Sequence, residues 1–365
     1  MGRDMSNIDF NMLYHILIDR FVPAQSSKKG RGYKGGNLKG IISQLDKLQA
    51  MGVTGLLLTP FVKGKAYHGY HTLDFATVNP HFGSWHSVDE LVDEAHRRGM
   101  TIYADFVANH CHQDSPIFQE HPEWFKRNKD GSYSAFNGID YLPQFDLDKA
   151  AARHFMTEQG ILLCQHGFDG LRLDYAKGPS IDFWRYFRKH IKATYPDVQL
   201  IGEVWGRPAR KRLPSALAQA FRNGSMTEKE VWQKRYAEVF DGVLDFAFQE
   251  MLTHTVSRGE RILENASLRK AVAQHFAHYA DCPDFKLYLF LDNHDTNRFL
   301  YDCQGNLSLL QEAVDFCREL PMPYILYYGT EKGMTNHEDI FCGKPYADEM
   351  VRQAYDPHVP DVLRF

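Results

Sequence analysis

The sequence predicts an α/β fold, a (β/α)8 barrel interrupted by one long excursion. Three observations predict it. Short apolar runs alternate with amphipathic segments along the chain, the pattern of βα units and a parallel sheet. The strand-like runs number eight, the count of a closed barrel. Residues 107–148 break the alternation: they are rich in His, Asp, Asn, Pro and Gly and hold no clear long element. A segment that long marks a functional loop or a small subdomain. No internal repeat, low-complexity tract or linker divides the chain.

The elements follow in order. Leu13–Ile18 is the first strand, ending in Asp19-Arg20-Phe21, and a Gly-rich loop runs from Gly30 to Gly36. A helix is expected from about Asn37, with Ile41, Leu45 and Leu48 at helical spacing. Val53–Leu58 is the second strand, stopped by Thr59-Pro60. A long loop then holds Tyr67-His68-Gly69-Tyr70-His71 and Asn79-Pro80-His81-Phe82-Gly83. Ser87 is a good N-cap for a helix that Gly99 closes. Thr101–Phe106 is the third strand, and a helix at Lys149–His166 follows the excursion. The remaining strands are expected at Gly170–Asp174, Gln199–Glu203, Gly242–Phe248, Lys286–Leu291 and Tyr324–Tyr328, with helices between them.

Composition narrows the function classes. The chain has 365 residues, 44% hydrophobic and 24% charged, within the range of a soluble globular protein. A formal net charge of -4 offers no electrostatic case for nucleic acid or an anionic membrane. No run approaches the roughly 18 apolar residues of a membrane span. The start, Met1-Gly2-Arg3-Asp4-Met5-Ser6, shows no apolar signal segment, and six cysteines stand without a CxxC pair or framework spacing. They read as free thiols of a reducing compartment, so a cytoplasmic location is expected. Aromatic side chains make up 13% of the residues, which suits stacking on flat ligands or a large aromatic core.

The chemistry collects at the strand ends, where barrel active sites lie. Strand three ends in Asp105-Phe106-Val107-Ala108-Asn109-His110, strand five in Glu203-Val204-Trp205 and strand seven in Asp292-Asn293-His294-Asp295. On strand four, Arg172 and Asp174 are two apart and so share one face. Alone, that pair reads equally as a structural ion pair and as a carboxylate held ionised for attack. Four such ends opening on one face favour chemistry. Asp174, Glu203 and Asp295 would converge, and glycosidic cleavage needs two carboxylates flanking the bond. If Arg172 selects Asp174 as the ionised group, Glu203 is the natural acid and Asp295 orients the sugar.

These residues resemble the conserved regions of the α-amylase family, glycoside hydrolase family 13. The resemblance rests on Asp105-xxx-Asn109-His110, Gly170-x-Arg172-x-Asp174, Gly202-Glu203-Val204-Trp205 and His294-Asp295, in the family's order and spacing. Gly36-Asn37-Leu38-x-Gly40-Ile41, Gly52-Val53-Thr54 and Gly69-Tyr70-x-x-x-Asp74-Phe75 add to it, and it covers roughly residues 13–335. It implies a retaining enzyme acting on α-1,4-glucosidic bonds of starch-like glucans or malto-oligosaccharides. Asp174 would be the nucleophile, Glu203 the acid/base and Asp295 the transition-state stabiliser. His110, Arg172 and His294 would hold the sugar, Tyr70 would stack beneath it, and Lys177 and Trp205 would line the leaving-group side. The barrel would span 1–106 and 149–365, and 107–148 would be the family's small B domain.

Three departures qualify the resemblance. Gln144 stands where many α-amylases offer an Asp to calcium, and Gly178 where many have a His. Asn109 remains either a calcium ligand or a hydrogen-bonding pin between barrel and B domain; no cofactor is expected to be required, and tight calcium is not expected. The family usually carries a C-terminal β-sandwich, which is not expected here: either the enzyme is barrel-only or the chain is one piece of something larger. Arg298, three residues after Asp295, resembles the Arg with which exo-acting members clamp a terminal glucose, and Asp74 is the available partner. Exo-acting α-glucosidase, glucanotransferase and an inactive sugar-binding barrel are the alternative readings.

Overall fold

The strand segments are apolar on both faces, so both faces must be covered. In the computed structural model, which describes residues 12–23, 32–206 and 213–365, ten strands form. They are β1 (Met12–Ile16), β2 (Gly55–Leu58), β3 (Val62–Gly64), β4 (Thr72–Val78), β5 (Thr101–Phe106), β6 (Gly170–Leu173), β7 (Gln199–Gly202), β8 (Gly242–Leu244), β9 (Lys286–Phe290) and β10 (Tyr324–Tyr327). Eight close into a parallel barrel in the order β1-β10-β9-β8-β7-β6-β5-β2, and β3 and β4 form a separate antiparallel hairpin. That hairpin lies inside the expected long loop, between the second and third barrel strands. The start Met1–Ser6, and Gly30 and Arg31 of the glycine-rich loop, lie outside the described residues.

A period of two sorts the side chains. Leu13, Leu57, Tyr103, Ile201, Tyr288, Phe290 and Ile325 fill the barrel interior, while their neighbours pack outward against the helices. The same parity carries polar groups up the interior: Tyr103 is followed by Asp105, Ile201 by Glu203, and Gly170 by Arg172 and Asp174. Gly170 is required here, because a Cβ would stand 2.2 Å from the Tyr103 ring. Register then sets Asp105 beside Arg172, and Arg172 beside Ile201.

Several element boundaries differ from expectation. The first helix is two short ones, Leu38–Ile42 and Leu45–Ala50. The Ser43 hydroxyl donates to the Gly40 carbonyl at 2.7 Å and helps end the first. The next helix is Trp85–Arg97 with Ser84, not Ser87, at its N-cap, because the extended backbone is at Ser84. The sixth barrel strand stops at Leu244, since Asp245 accepts from the Phe248 amide at 3.1 Å and caps the helix Phe246–Ser257. Among the described residues no α-helix follows β10. Residues 333–365 instead run as coil with one short 3-10 segment, Ala347–Val351, back to the first strand's end, where the Tyr355 amide donates to the Arg20 carbonyl at 2.7 Å.

Residues 107–148 are tied by isolated bridges, among them His110 to Gln144 and Phe125 to Phe145. A small aromatic cluster of their own supports them: Phe125 lies 4.8 Å from Phe118 and 4.3 Å from Phe145, ring to ring.

Outside the barrel, a buried imidazole joins three helices. His275, on the helix Ala266–Ala277, lies 2.8 Å from Glu230 Oε1 and 2.7 Å from Asp245 Oδ2. Burial alone would lower its pKa; Asp245 and Glu230 outweigh that and raise it to about 9. The folded value exceeds the ordinary 6.5, so the stabilisation is complete below that pH and is lost as pH rises towards about 9. The shift corresponds to about 3 kcal/mol. Thermal melts of the wild type should therefore fall between these limits, and His275→Gln, less stable throughout, should show a flatter profile in that window.

Candidate active site

The interior parity delivers Asp105, Asp174 and Glu203 to one end of the barrel, and the turn after β9 adds Asp295. Arg172 lies beneath them, 1% exposed. Its Nη1 donates to Asp105 at 2.8 and 2.9 Å and to Asp174 Oδ1 at 2.7 Å, and its Nη2 stands 2.6 Å from Glu203 Oε1. Arg172 thus holds both candidate reacting carboxylates with one planar group. The expectation that it singles out Asp174 is corrected: the guanidinium is shared among three acids. It lies beneath the cavity and is not among the residues that line it.

Electrostatics follow from that crowding. Burial raises Asp174, Arg172 pulls it back, and Asp105 and Asp295 push it up again, to about 7. Asp105 is raised to about 6 and Glu203 is also raised, each by burial first and against Arg172. The cluster therefore retains a proton near neutrality. Asp295 goes the other way. Burial would raise it, but His294 and Arg352 hold it well below the usual carboxylate range. His294 Nε2 lies 3.1 Å from Asp295 Oδ2, and Arg352 Nη2 donates to Oδ1 at 2.9 Å.

Above the carboxylates opens a cavity of about 410 Å³, lined by Tyr70, His110, Asp174, Lys177, Glu203, Trp205, His294 and Asp295. Phe136, Tyr175 and Phe341 add aromatic walls, and His68, His71, Asp348 and Arg352 line it as well. The Tyr70 ring stacks on His294 at 4.9 Å, and its hydroxyl donates to Asp105 at 2.7 Å. His110 Nε2 lies 3.1 Å from the Tyr70 carbonyl, and burial lowers its pKa to about 3, so it is neutral. Lys177 Nζ donates to the Trp205 carbonyl at 2.6 Å, and the Trp205 ring stacks on Phe246. Between them Tyr175 adopts φ 43°, a strained left-handed conformation. That turn aims its amide at Glu203 Oε2, 2.9 Å away.

Comparison with known proteins agrees with this geometry. The family model "Alpha amylase, catalytic domain" matches residues 15–137 and 120–359. The chain belongs to the α-amylase family. It is 31% identical over 355 residues to Alpha-amylase 2 of Dictyoglomus thermophilum, covering 94% of this chain and 58% of that protein. To Neopullulanase 2 of Thermoactinomyces vulgaris it is 27% identical, covering 92% of this chain and 58% of that one. The chain thus spans little more than half the length of these relatives. Among solved structures, the α-amylase of Geobacillus thermoleovorans complexed with acarbose superposes with a TM-score of 0.76 at 27% identity, over 96% of this chain and 75% of that chain. An Anoxybacillus α-amylase superposes with a TM-score of 0.77 at 26% identity, over 96% and 75%.

Within this α-amylase-family barrel, nine of the ten expected residues gather at or directly under the cavity. Arg298 does not. It is fully buried, its Nη1 donates to the Tyr328 carbonyl at 2.6 Å, and its guanidinium lies 4.2 Å over the Tyr327 ring. Asp74 also lies away, accepting from Ala76 and Thr77 in its own turn. The expected Arg298–Asp74 clamp is therefore corrected. An Arg–Asp pair does border the cavity, but it is Arg352 with Asp348, 2.5 Å apart on the final segment. Sequence reading missed Arg352 because it sits in an aperiodic stretch far from any motif. Asp105, noted only as part of a motif, proves to be the third acid on Arg172; its signal was the register with strand four.

The described residues include one group of metal-ligand type, Glu230, His275 and His278, whose ligand atoms lie within 4.8 Å of one another. It lies among the outer helices, and the His275 proton between two carboxylates accounts for its geometry.

Two outcomes are expected. Arg352→Met removes a charged hydrogen bond from Asp295, about 1.5–3 kcal/mol, and kcat should fall about 10–100-fold in steady-state assays while the melting curve stays cooperative. Asp105→Asn removes a charge that raises Asp174. The acid limb of its kcat/KM profile should move to lower pH, whatever the loss in rate.

Proposed function

We propose that this chain is a retaining glycoside hydrolase acting on α-1,4-glucosidic bonds of starch-like glucans or malto-oligosaccharides. The observation that carries it is the pair Asp174 and Glu203, bridged by one buried guanidinium at the floor of an aromatic-walled cavity. A retaining pair needs its carboxyl groups close, about 5–5.5 Å apart. Asp174 attacks the anomeric carbon as the bond to the leaving oxygen breaks, and Glu203 gives that oxygen its proton. Glu203 then takes a proton from water, which displaces Asp174 from the sugar. Burial and neighbouring acids keep a proton available for the first step. Asp295, held ionised by His294 and Arg352, faces the positive charge that grows on the sugar ring. Tyr70 offers a ring face to the sugar, and His110 and His294 line the cavity where its hydroxyls would lie. Residues 107–148 serve as the B domain and close one side of the cavity through His110 and Phe136.

An exo-acting reading has one observation in its favour. The ion pair Arg352–Asp348 borders the cavity and suits the hydroxyls of a terminal glucose. The chain's location is proposed to be cytoplasmic. No described helix is long and apolar enough to cross a membrane, the six cysteines are free, and the similar Bacillus subtilis protein is named an intracellular maltogenic amylase.

The test is a product profile on maltoheptaose, soluble starch, pullulan and β-cyclodextrin, with the anomeric form of the first product read by NMR. Hydrolysis with α-anomer release is expected. Glu203→Gln should lose about 10²–10⁴-fold in kcat, the range of a lost general acid. Inverted product would sink the retaining mechanism, products longer than the substrate would favour transfer, and equal negligible release by wild type and variant would remove the enzyme reading. Release of one short product from chain ends alone would decide for exo action.

A further inference from the structure

The position at which the family resemblance would seat calcium can be tested against its donors. Asn109 Oδ1 packs against Gly178, where a Cβ would stand 2.1 Å away, and the Gln144 side-chain amide faces the same oxygen at 3.5 Å. Gln144 Oε1 accepts from the Ser134 hydroxyl at 2.9 Å. The Gly178 carbonyl accepts from Lys126 Nζ at 3.4 Å. None of the three oxygens is a carboxylate, and the third already faces an ammonium. Calcium takes six to eight oxygens and favours charged ones, and a neighbouring ammonium repels it. The residues present do not fit calcium.

Lys126 is anchored by its backbone beside that position. Its amide donates to the Gln144 carbonyl at 2.9 Å, and its carbonyl accepts from the Ser134 amide at 2.9 Å. The side chain is half-buried, and the acids acting on it are Asp146 and Asp148. Asp148 in turn accepts from the Ser180 hydroxyl, two residues beyond Gly178. The ammonium thus reaches from the excursion to the loop that follows β6, where the Gly178 carbonyl accepts from it and the charges of Asp146 and Asp148 favour it.

We propose that the Lys126 ammonium is the built-in cation of this junction, pinning residues 107–148 to the loop after β6 where a divalent ion would otherwise serve. The pinned loop is the one that carries Tyr175, whose amide holds Glu203, and Lys177, which reaches the Trp205 carbonyl. The pin therefore supports the geometry of the candidate acid without touching substrate. A covalently tethered charge needs no free ion to fill it, so the junction is indifferent to chelation.

The test uses the full chain and reads thermal melting and limited proteolysis, which do not depend on what the enzyme cleaves. Wild type treated with EDTA and then given calcium chloride should melt at the same temperature throughout. Lys126→Met should melt about 2–4 °C lower and be cut faster within 107–148, and calcium should not restore it. The double variant Lys126→Asp/Gln144→Asp, which offers two carboxylates and no ammonium, should gain a calcium-dependent rise in melting temperature. A wild-type melting temperature that drops in EDTA and returns with calcium would overturn the proposal. So would a Lys126→Met variant with wild-type melting and wild-type proteolysis.

Discussion

One guanidinium carries the candidate site. Arg172 sits almost wholly out of water with Asp105, Asp174 and Glu203 around it. An isolated buried charge of this kind is costly, and three acids on one cation leave the group short of positive charge. The shortage is what makes the arrangement useful for chemistry. It raises the carboxylates towards neutrality, so that a proton stays in the cluster, while Asp295 is kept ionised apart by His294 and Arg352. Two protonation states coexist in one cavity because two cations are placed unevenly among four acids.

Barrel geometry makes that placement possible. Inward residues come every second position, and the register of β5, β6 and β7 sets Asp105, Arg172 and Ile201 side by side. The closed sheet has no edge to slip along, so the polar layer cannot drift relative to the apolar layer below it. Gly170 shows how tightly the two are linked: its missing side chain is the space the Tyr103 ring fills. Loops then finish what strands begin. The left-handed Tyr175 turns an amide onto Glu203, and the last described segment returns across the barrel mouth to bring Arg352 to Asp295.

What was legible in the sequence was whatever local periodicity or a short motif encodes. The eight strands, the long excursion and the catalytic-type residues Asp174, Glu203 and Asp295 all lie in or just after apolar runs, where a two-residue period and a strand's end mark them. Boundaries set by a single hydrogen bond were not legible. Asp245 reads as strand until its carboxylate is seen capping a helix, and the Ser43 hydroxyl that helps end the first helix has no periodic signal.

The sequence by itself determined the architecture and the identity of the acids, because alternating apolar runs and strand-end carboxylates are local facts. Only the tertiary structure decided how charge is shared. Arg298 and Arg352 are both arginines near the chain's end, yet one is buried under Tyr327 and the other faces Asp295. Arg172 looked like the partner of one acid and is the partner of three. Lys126 carries no signal in the sequence, and its ammonium reaches the Gly178 carbonyl. Each outcome depends on distances between residues tens of positions apart, and charge–charge energies vary with distance and burial, which a linear pattern does not contain.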